Sequence, residues 1–509
     1  MKKLRLIFAV AAISAAIGAQ AQSDPKAAIA ALDTIIRKHA NYKNVVDPFV
    51  EKVYGKFRKH PDVATAIAKA YYKFYRPAGQ PYYTYVTRDS ANAYKYINFA
   101  IEEEPGYVPA YVFGGDIQVT MGDTLAALDW YRRAIAADKA NPAGYIAYAD
   151  LQLDRDSVAA VTTLMGLRDY RPGYPVELAM GRMFMRRANV RSAEEIDAAR
   201  NAQTKLNLYR TVDALDAAER DSMTIDDLRT YSMYHYLLGN YDKSLDVALY
   251  GHGRKERDAA FNRLAFWSYT NLAKFDEALA YADLLFNKSD SAVLDPQDYF
   301  YYGIVYSGKK RYDEAIAMFG EVVAHEKAAE KMKATAQDQI INAYKQKGDF
   351  DTAIARFKAN MAAHERDSTI SAYDYYQLGG IYIEYANSLK GDTALAVWQK
   401  ADSVYAVMAD KYPANADYPL YMRLQISNVF DPESEQGLGV PFAEKLIAFI
   451  QAQGTNDKAA QEKLLMAYRY LGYYYTFVLE RRARGRVYWQ KILEIDPENA
   501  AAKQVLGLG

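Results

Sequence analysis

Two stretches of this chain repeat one another at a fixed offset, and that self-similarity restricts the fold more than any other feature. The first reads Tyr302-Gly303-Ile304-Val305-Tyr306, then Arg311-Tyr312-Asp313-Glu314-Ala315-Ile316-Ala317-Met318-Phe319. The second reads Ile340-Ile341-Asn342-Ala343-Tyr344, then Gly348-Asp349-Phe350-Asp351-Thr352-Ala353-Ile354-Ala355-Arg356-Phe357. Tyr306 precedes Ala315 by nine residues, Tyr344 precedes Ala353 by nine, and Ala315 precedes Ala353 by 38. Recurrence at such a period signals a helical solenoid, in which each unit is one hairpin stacked on the next. Tyr302 with Tyr306 and Ala315 with Phe319 fall at helical spacing, so each helix has one stripe to bury. One hairpin cannot cover that stripe alone, and neighbours must bury it together.

The pattern is Gly or Ala, three residues to Tyr, nine more to Ala and four more to an aromatic, with Lys-Arg-Tyr-Asp or Gly-Asp-Phe-Asp at the turn. It resembles the tetratricopeptide repeat (TPR). The resemblance implies an all-α, right-handed superhelical solenoid of stacked antiparallel hairpins. Looser copies run from Gly114 and Gly115 through Gly122-Asp123 to Ala127, Tyr131, Ala134 and Pro142, and from Leu378-Gly379-Gly380 to Pro413. A last copy joins Leu471–Tyr475 to Val487–Pro497, and Ala500 to Leu508 reads as a helix capping the open end. The anchors Ser244, Ala278, Ala315 and Ala353 step by 34, 37 and 38 residues. Near the N-terminus a helix ending at Tyr71 is followed by what reads as a long Pro-, Gly- and Tyr-rich loop from Arg76 to Arg88.

The expected organisation is a signal peptide at 1–21, an N-terminal TPR-like array at 22–168, an irregular helical joint at 169–221, a central array at 222–415, and C-terminal hairpins with a capping helix at 416–509. The signal reading rests on Lys2, Lys3 and Arg5, an apolar run from Leu6 to Ile17 and the small-residue end Ala19-Gln20-Ala21. Its ending resembles those of exported Bacteroidetes proteins, which implies a periplasmic chain, held at the outer membrane only through a partner. Cleavage would leave 60 basic residues against 63 acidic ones, a net charge of −3, which disfavours nucleic acid as a partner. The chain contains no cysteine, so packing alone must hold it in an oxidising compartment. No segment of the mature chain reaches membrane-span length.

In TPR-like stacks the first helix of each hairpin faces the concave side. That resemblance implies an inward-facing set of Arg229, Met233, Tyr236, Arg263, Trp267, Phe300, Ile304, Asp338, Asn342, Lys345, Tyr373 and Tyr376. Mixed aromatic, guanidinium and amide groups suit a peptide or protein surface better than a small ion. The 46 tyrosines are read mainly as filler between helices, where one ring edge is buried and the other wet. Ten Asp-Ser or Asp-Thr pairs, among them Asp89-Ser90, Asp123-Thr124, Asp156-Ser157 and Asp367-Ser368, resemble an O-glycan acceptor; as a pattern of residues they read first as helix caps.

Nothing points to catalysis, a metal or a cofactor. The six histidines are scattered, and no metal-binding His spacing, nucleophile turn or phosphate-binding Gly-rich loop is present. The function expected is therefore a non-enzymatic scaffold or adaptor in the cell envelope, binding a protein or extended peptide on its concave face. Two alternatives are an assembly factor for the envelope or outer membrane, and a carbohydrate-binding or hydrolytic protein. The last would need a carboxylate pair facing an aromatic platform.

Overall fold

The structure, a computed structural model, describes residues 24–38, 43–75, 83–188, 202–455 and 457–508. The expected signal at 1–21 lies outside the described residues. Among the described residues are 25 α-helices and one two-stranded sheet. The chain divides into two compact units, Met1–Ser268 and Tyr269–Gly509, with the division inside the helix Ala259–Asn271.

In the first unit the hairpin Val108–Met121/Thr124–Ala137 shows how the repeat is punctuated. Gly122 ends the first helix at φ 84°, a left-handed conformation that costs glycine little. Asp123 then starts the second helix, its side chain accepting from the Ala126 N–H at 2.9 Å. Asp89 and Asp156 cap their helices in the same way, so these three Asp-Ser/Thr pairs work as caps. Ala127 and Ala134 are fully buried, and the buried Tyr131 donates its hydroxyl to Asp116 at 2.8 Å. Small residues set the helices close and the tyrosine fills the remaining width.

The segment expected as a loop from Arg76 to Arg88 ends in a strand. Thr84–Arg88 pairs antiparallel with Tyr72–Tyr75, with an irregularity between Lys73 and Phe74. Thr84-Tyr85-Val86-Thr87 is rich in β-branched and aromatic residues, which fit a pleated surface. Buried Thr87 pins the pair to the preceding helix by donating to the Ala70 carbonyl at 2.9 Å while accepting from the Lys73 N–H at 2.7 Å. Within 169–221, the helices Val176–Ala188 and Ala202–Asp216 bury Leu178 with Leu215, and Ala188 with Leu208 and Val212.

Successive hairpins of the first unit are tied by buried carboxylates at helix starts. Asp227 closes a reciprocal cap with Thr224 and receives Arg182 from the preceding hairpin at 2.9 and 2.6 Å. Burial pushes its carboxyl up, but the hydrogen bonds from Arg182 and Thr224 outweigh burial and hold it below the usual carboxylate range.

The second unit holds the two repeats that open the sequence argument. Pro296–Gly308 packs on Tyr312–Ala324, and a Cβ on Gly303 would lie 2.6 Å from the Phe319 ring. The glycine is therefore required by close approach of the ring. Glu330–Lys347 pairs with Phe350–Arg366, Ala372–Ser388 with Gly391–Lys411, Asp417–Phe430 precedes Val440–Gln453, and Lys458–Tyr473 leads through a π-turn to Arg482–Ile495 and the capping helix Ala500–Leu506. The core is a succession of clusters around Phe319, Tyr405 and Trp489. Stacked repeats bury their stripes in this way.

Candidate functional site

Glu330–Lys347, Phe350–Arg366 and Ala372–Ser388 enclose a recess of about 400 Å³ in the second unit. The first helix supplies Asp338, Asn342 and Lys345 at successive spacings of four and three, which places them on one face, with Gln337 beside Asp338. Asn360 and His364, one turn apart, come from the second helix, and Tyr373, Asp374 and Gln377 from the third. Four residues of the sequence-derived set, Asp338, Asn342, Lys345 and Tyr373, thus share one cavity. Tyr376 stands at its edge: its ring lies 5.8 Å from that of Tyr373, nearly parallel, and 4.9 Å from Tyr418. Tyr373 is 65% exposed and Tyr376 41%.

The charged groups of the recess differ in how they are held. Asp374 has both oxygens engaged: Oδ1 lies 2.7 Å from His364 Nδ1, and Oδ2 accepts from the Ser371 N–H and hydroxyl, each at 2.8 Å. Burial raises its pKa, but these hydrogen bonds outweigh burial and leave the carboxyl below its ordinary range. Asp338 lacks such support; burial pushes its carboxyl up, and the nearby His364 offsets only part. Lys345 is anchored to Glu384 at 2.8 Å. Asn342 is exposed, leaving its amide to solvent or to a ligand.

The rest of the sequence-derived set is distributed otherwise. Arg229 is an ion-pair tie, bonded to Asp226 at 2.6 Å and to Asp258, which is 3% exposed. Tyr236, Trp267 and Arg263 form a half-buried cluster in the first unit, with rings 5.4 Å apart and the guanidinium 5.8 Å from the indole. Met233 is half-buried. Phe300 and Ile304 pack along the core around Phe319, with Phe300 5.5 Å from that ring, so much of their surface is already used. Gln337, Asn360, His364, Asp374 and Gln377 were missed by repeat register. Asn360 and His364 sit on a second helix, which the repeat pattern assigns to the outer side. Their i, i+4 spacing of polar groups, repeated in Tyr373 and Gln377, was the available signal.

Among the described residues no cluster of three or more His, Asp or Glu could hold a metal, and no helix is long and apolar enough to cross a membrane. No family model and no curated protein matches the chain. Solved structures similar to it include the C-terminal part of a TPR repeat-containing protein from Cytophaga hutchinsonii, at 24% identity and a TM-score of 0.42, covering 55% of this chain and 99% of that one. A tetratricopeptide repeat protein from Parabacteroides merdae is similar at 16% identity and a TM-score of 0.24, over 50% of this chain and 93% of that one. YrrB, described as a TPR protein with an unusual peptide-binding site, is similar at 13% identity and a TM-score of 0.27, over 48% of this chain and 97% of that one.

Proposed function

We propose that this stack of TPR-type hairpins is a non-enzymatic, exported scaffold that binds an extended segment of a partner protein in the recess between Glu330–Lys347, Phe350–Arg366 and Ala372–Ser388. The observation that carries the reading is the lining itself: five amide side chains, Gln337, Gln339, Asn342, Asn360 and Gln377, beside the exposed Tyr373 ring. A peptide backbone presents one donor and one acceptor per residue, and side-chain amides offer both. The aromatic ring adds a rigid apolar contact that needs little ordering on binding. The carboxylates do not form a free catalytic pair, because both oxygens of Asp374 are committed to His364 and Ser371. Export is supported by the basic, apolar and small-residue succession of Met1 to Ala21.

Panning a random peptide library on the full chain, then measuring recovered peptides by fluorescence anisotropy, tests the site. The Asn342→Ala, Tyr373→Ala, Gln377→Ala triple variant is expected to bind at least about tenfold more weakly, a change of roughly 1.4 kcal/mol, with its melting curve unchanged. Equal binding by variant and parent would overturn the reading. For export, N-terminal sequencing of periplasmic protein from a Gram-negative host is expected to begin at Gln22; retention of Met1 in the cytoplasm would overturn it.

A further inference from the structure

At the end of the second unit a separate recess of about 620 Å³ is walled by the π-turn Tyr474–Val478, the first turns of Arg482–Ile495 and the capping helix Ala500–Leu506. Arg482 and Arg486, one helical turn apart, both line it, together with Thr476, Phe477, Gln504 and Val505. No carboxylate is part of the lining.

The basic run is divided by helical geometry. Arg484 points to the other side, where it donates to Glu444 at 3.1 Å and lies 3.9 Å from the Tyr475 ring centre. Arg482 and Arg486 make no ion pair among the described residues, and both are exposed. Thr476 is 8% exposed and accepts from Trp489 Nε1 at 3.1 Å. That hydroxyl oxygen packs against the Gly485 backbone, where a Cβ would come within 2.0 Å of it, so it belongs to the core behind the recess.

The rest of the wall is apolar. Phe477 is 53% exposed beside Val505, and the space is larger than one small anion needs. We propose that this recess is a second binding site, for an acidic peptide segment whose Asp or Glu carboxylate is taken by Arg482 and Arg486 while a neighbouring apolar side chain covers Phe477. Guanidinium and carboxylate match in planar, bidentate geometry. The site shares no residue with the amide-lined recess.

The test uses the full chain and a fluorescein-labelled Gly-Leu-Glu-Glu-Leu-Glu-Gly peptide, compared with its Gln isostere by anisotropy. The parent is expected to prefer the Glu peptide by about tenfold or more. The Arg482→Ala, Arg486→Ala variant loses that preference, and Phe477→Ala weakens both peptides while keeping the preference. Because all three side chains are exposed, unchanged melting curves are expected and serve as the folding check. The Asn342, Tyr373 and Gln377 variant described above should bind the Glu peptide as the parent does. If that variant loses binding while the arginine variant keeps it, the peptide sits in the amide-lined recess and this proposal falls. Equal affinity for Glu and Gln peptides also overturns it. So does displacement by millimolar inorganic phosphate combined with no effect of Phe477→Ala, which would mark a simple anion site.

Discussion

The hairpins Ile225–Leu237/Tyr241–Arg254 and Pro296–Gly308/Tyr312–Ala324 keep one spacing and fill it in opposite ways. In the second, Gly303, Tyr306, Ala315 and Phe319 occupy the four anchor positions; in the first, the same register holds Ser232, His235, Ser244 and Ala248. The Phe319 ring fits against the bare Gly303 backbone. Ala248 leaves room for a side chain at Ser232, whose hydroxyl donates to the Ser244 carbonyl at 2.8 Å. The tyrosine position becomes His235, 1% exposed, with Nε2 2.9 Å from Asp216, which also receives Tyr231 and Lys243. Repeat geometry therefore constrains combined volume across the interface and tolerates a change of chemistry, provided each buried polar group finds a partner. The polar solution brings a dependence on pH that the apolar one lacks.

Swapping the fillings tests this comparison. Phe319→Ala should destabilise the second unit by about 3–5 kcal/mol, as a fully buried ring leaves a cavity. Adding Gly303→Ser should recover part of that loss in chemical denaturation. A double variant no better than the sum of its parts would break the claim of coupled volume. The converse change, Ala248→Phe, drives a ring into space that Ser232 and Ser244 already use, with a cost of about 1–3 kcal/mol.

The pH dependence sharpens the same contrast. Burial outweighs the Asp216 carboxylate and holds the His235 ring below its ordinary pKa. The unfolded chain takes a proton near pH 6.5 that folded His235 refuses. The stability that depends on neutral His235 is thus fully present above about pH 6.5 and is lost as pH falls toward the lower folded value, by at most about 1.4 kcal/mol per pH unit. His235→Gln keeps a donor for Asp216 and should flatten the decline of thermal stability between neutral and mildly acidic pH. A parent and variant with parallel pH profiles would show that His235 does not carry it. The smallest stability effects belong to the amide-lined recess. Asn342→Ala and Tyr373→Ala should each stay within about 0.5 kcal/mol, because both side chains are exposed.

Repeat period and punctuation made the hairpins legible. Tyr-to-Ala spacing located the paired helices, and Gly122-Asp123 and Gly348-Asp349 marked the turns, where glycine ends one helix and aspartate caps the next. The strand pair escaped because Tyr72–Tyr75 and Thr84–Arg88 are each shorter than a periodic pattern needs. The amide-lined recess was half legible. Register on first helices found Asp338, Asn342, Lys345 and Tyr373, but the contribution of Asn360 and His364 depends on how a second helix meets the next repeat. Repeat register also could not separate Phe300 and Ile304, whose apolar surface goes to the neighbouring core, from residues left open to a ligand.

The central claim, that the amide-lined recess takes a partner segment, is tested most directly by site-specific photo-crosslinking in a native envelope preparation. A photoreactive residue replaces Asn342 or Gln377 in one set, and Ala355 or Ala359, exposed and outside the recess lining, in the other. The account predicts one adduct from the recess positions, absent at the control positions and suppressed by a peptide selected on the full chain. Adducts of equal yield at both sets, or none at Asn342 and Gln377, would contradict it.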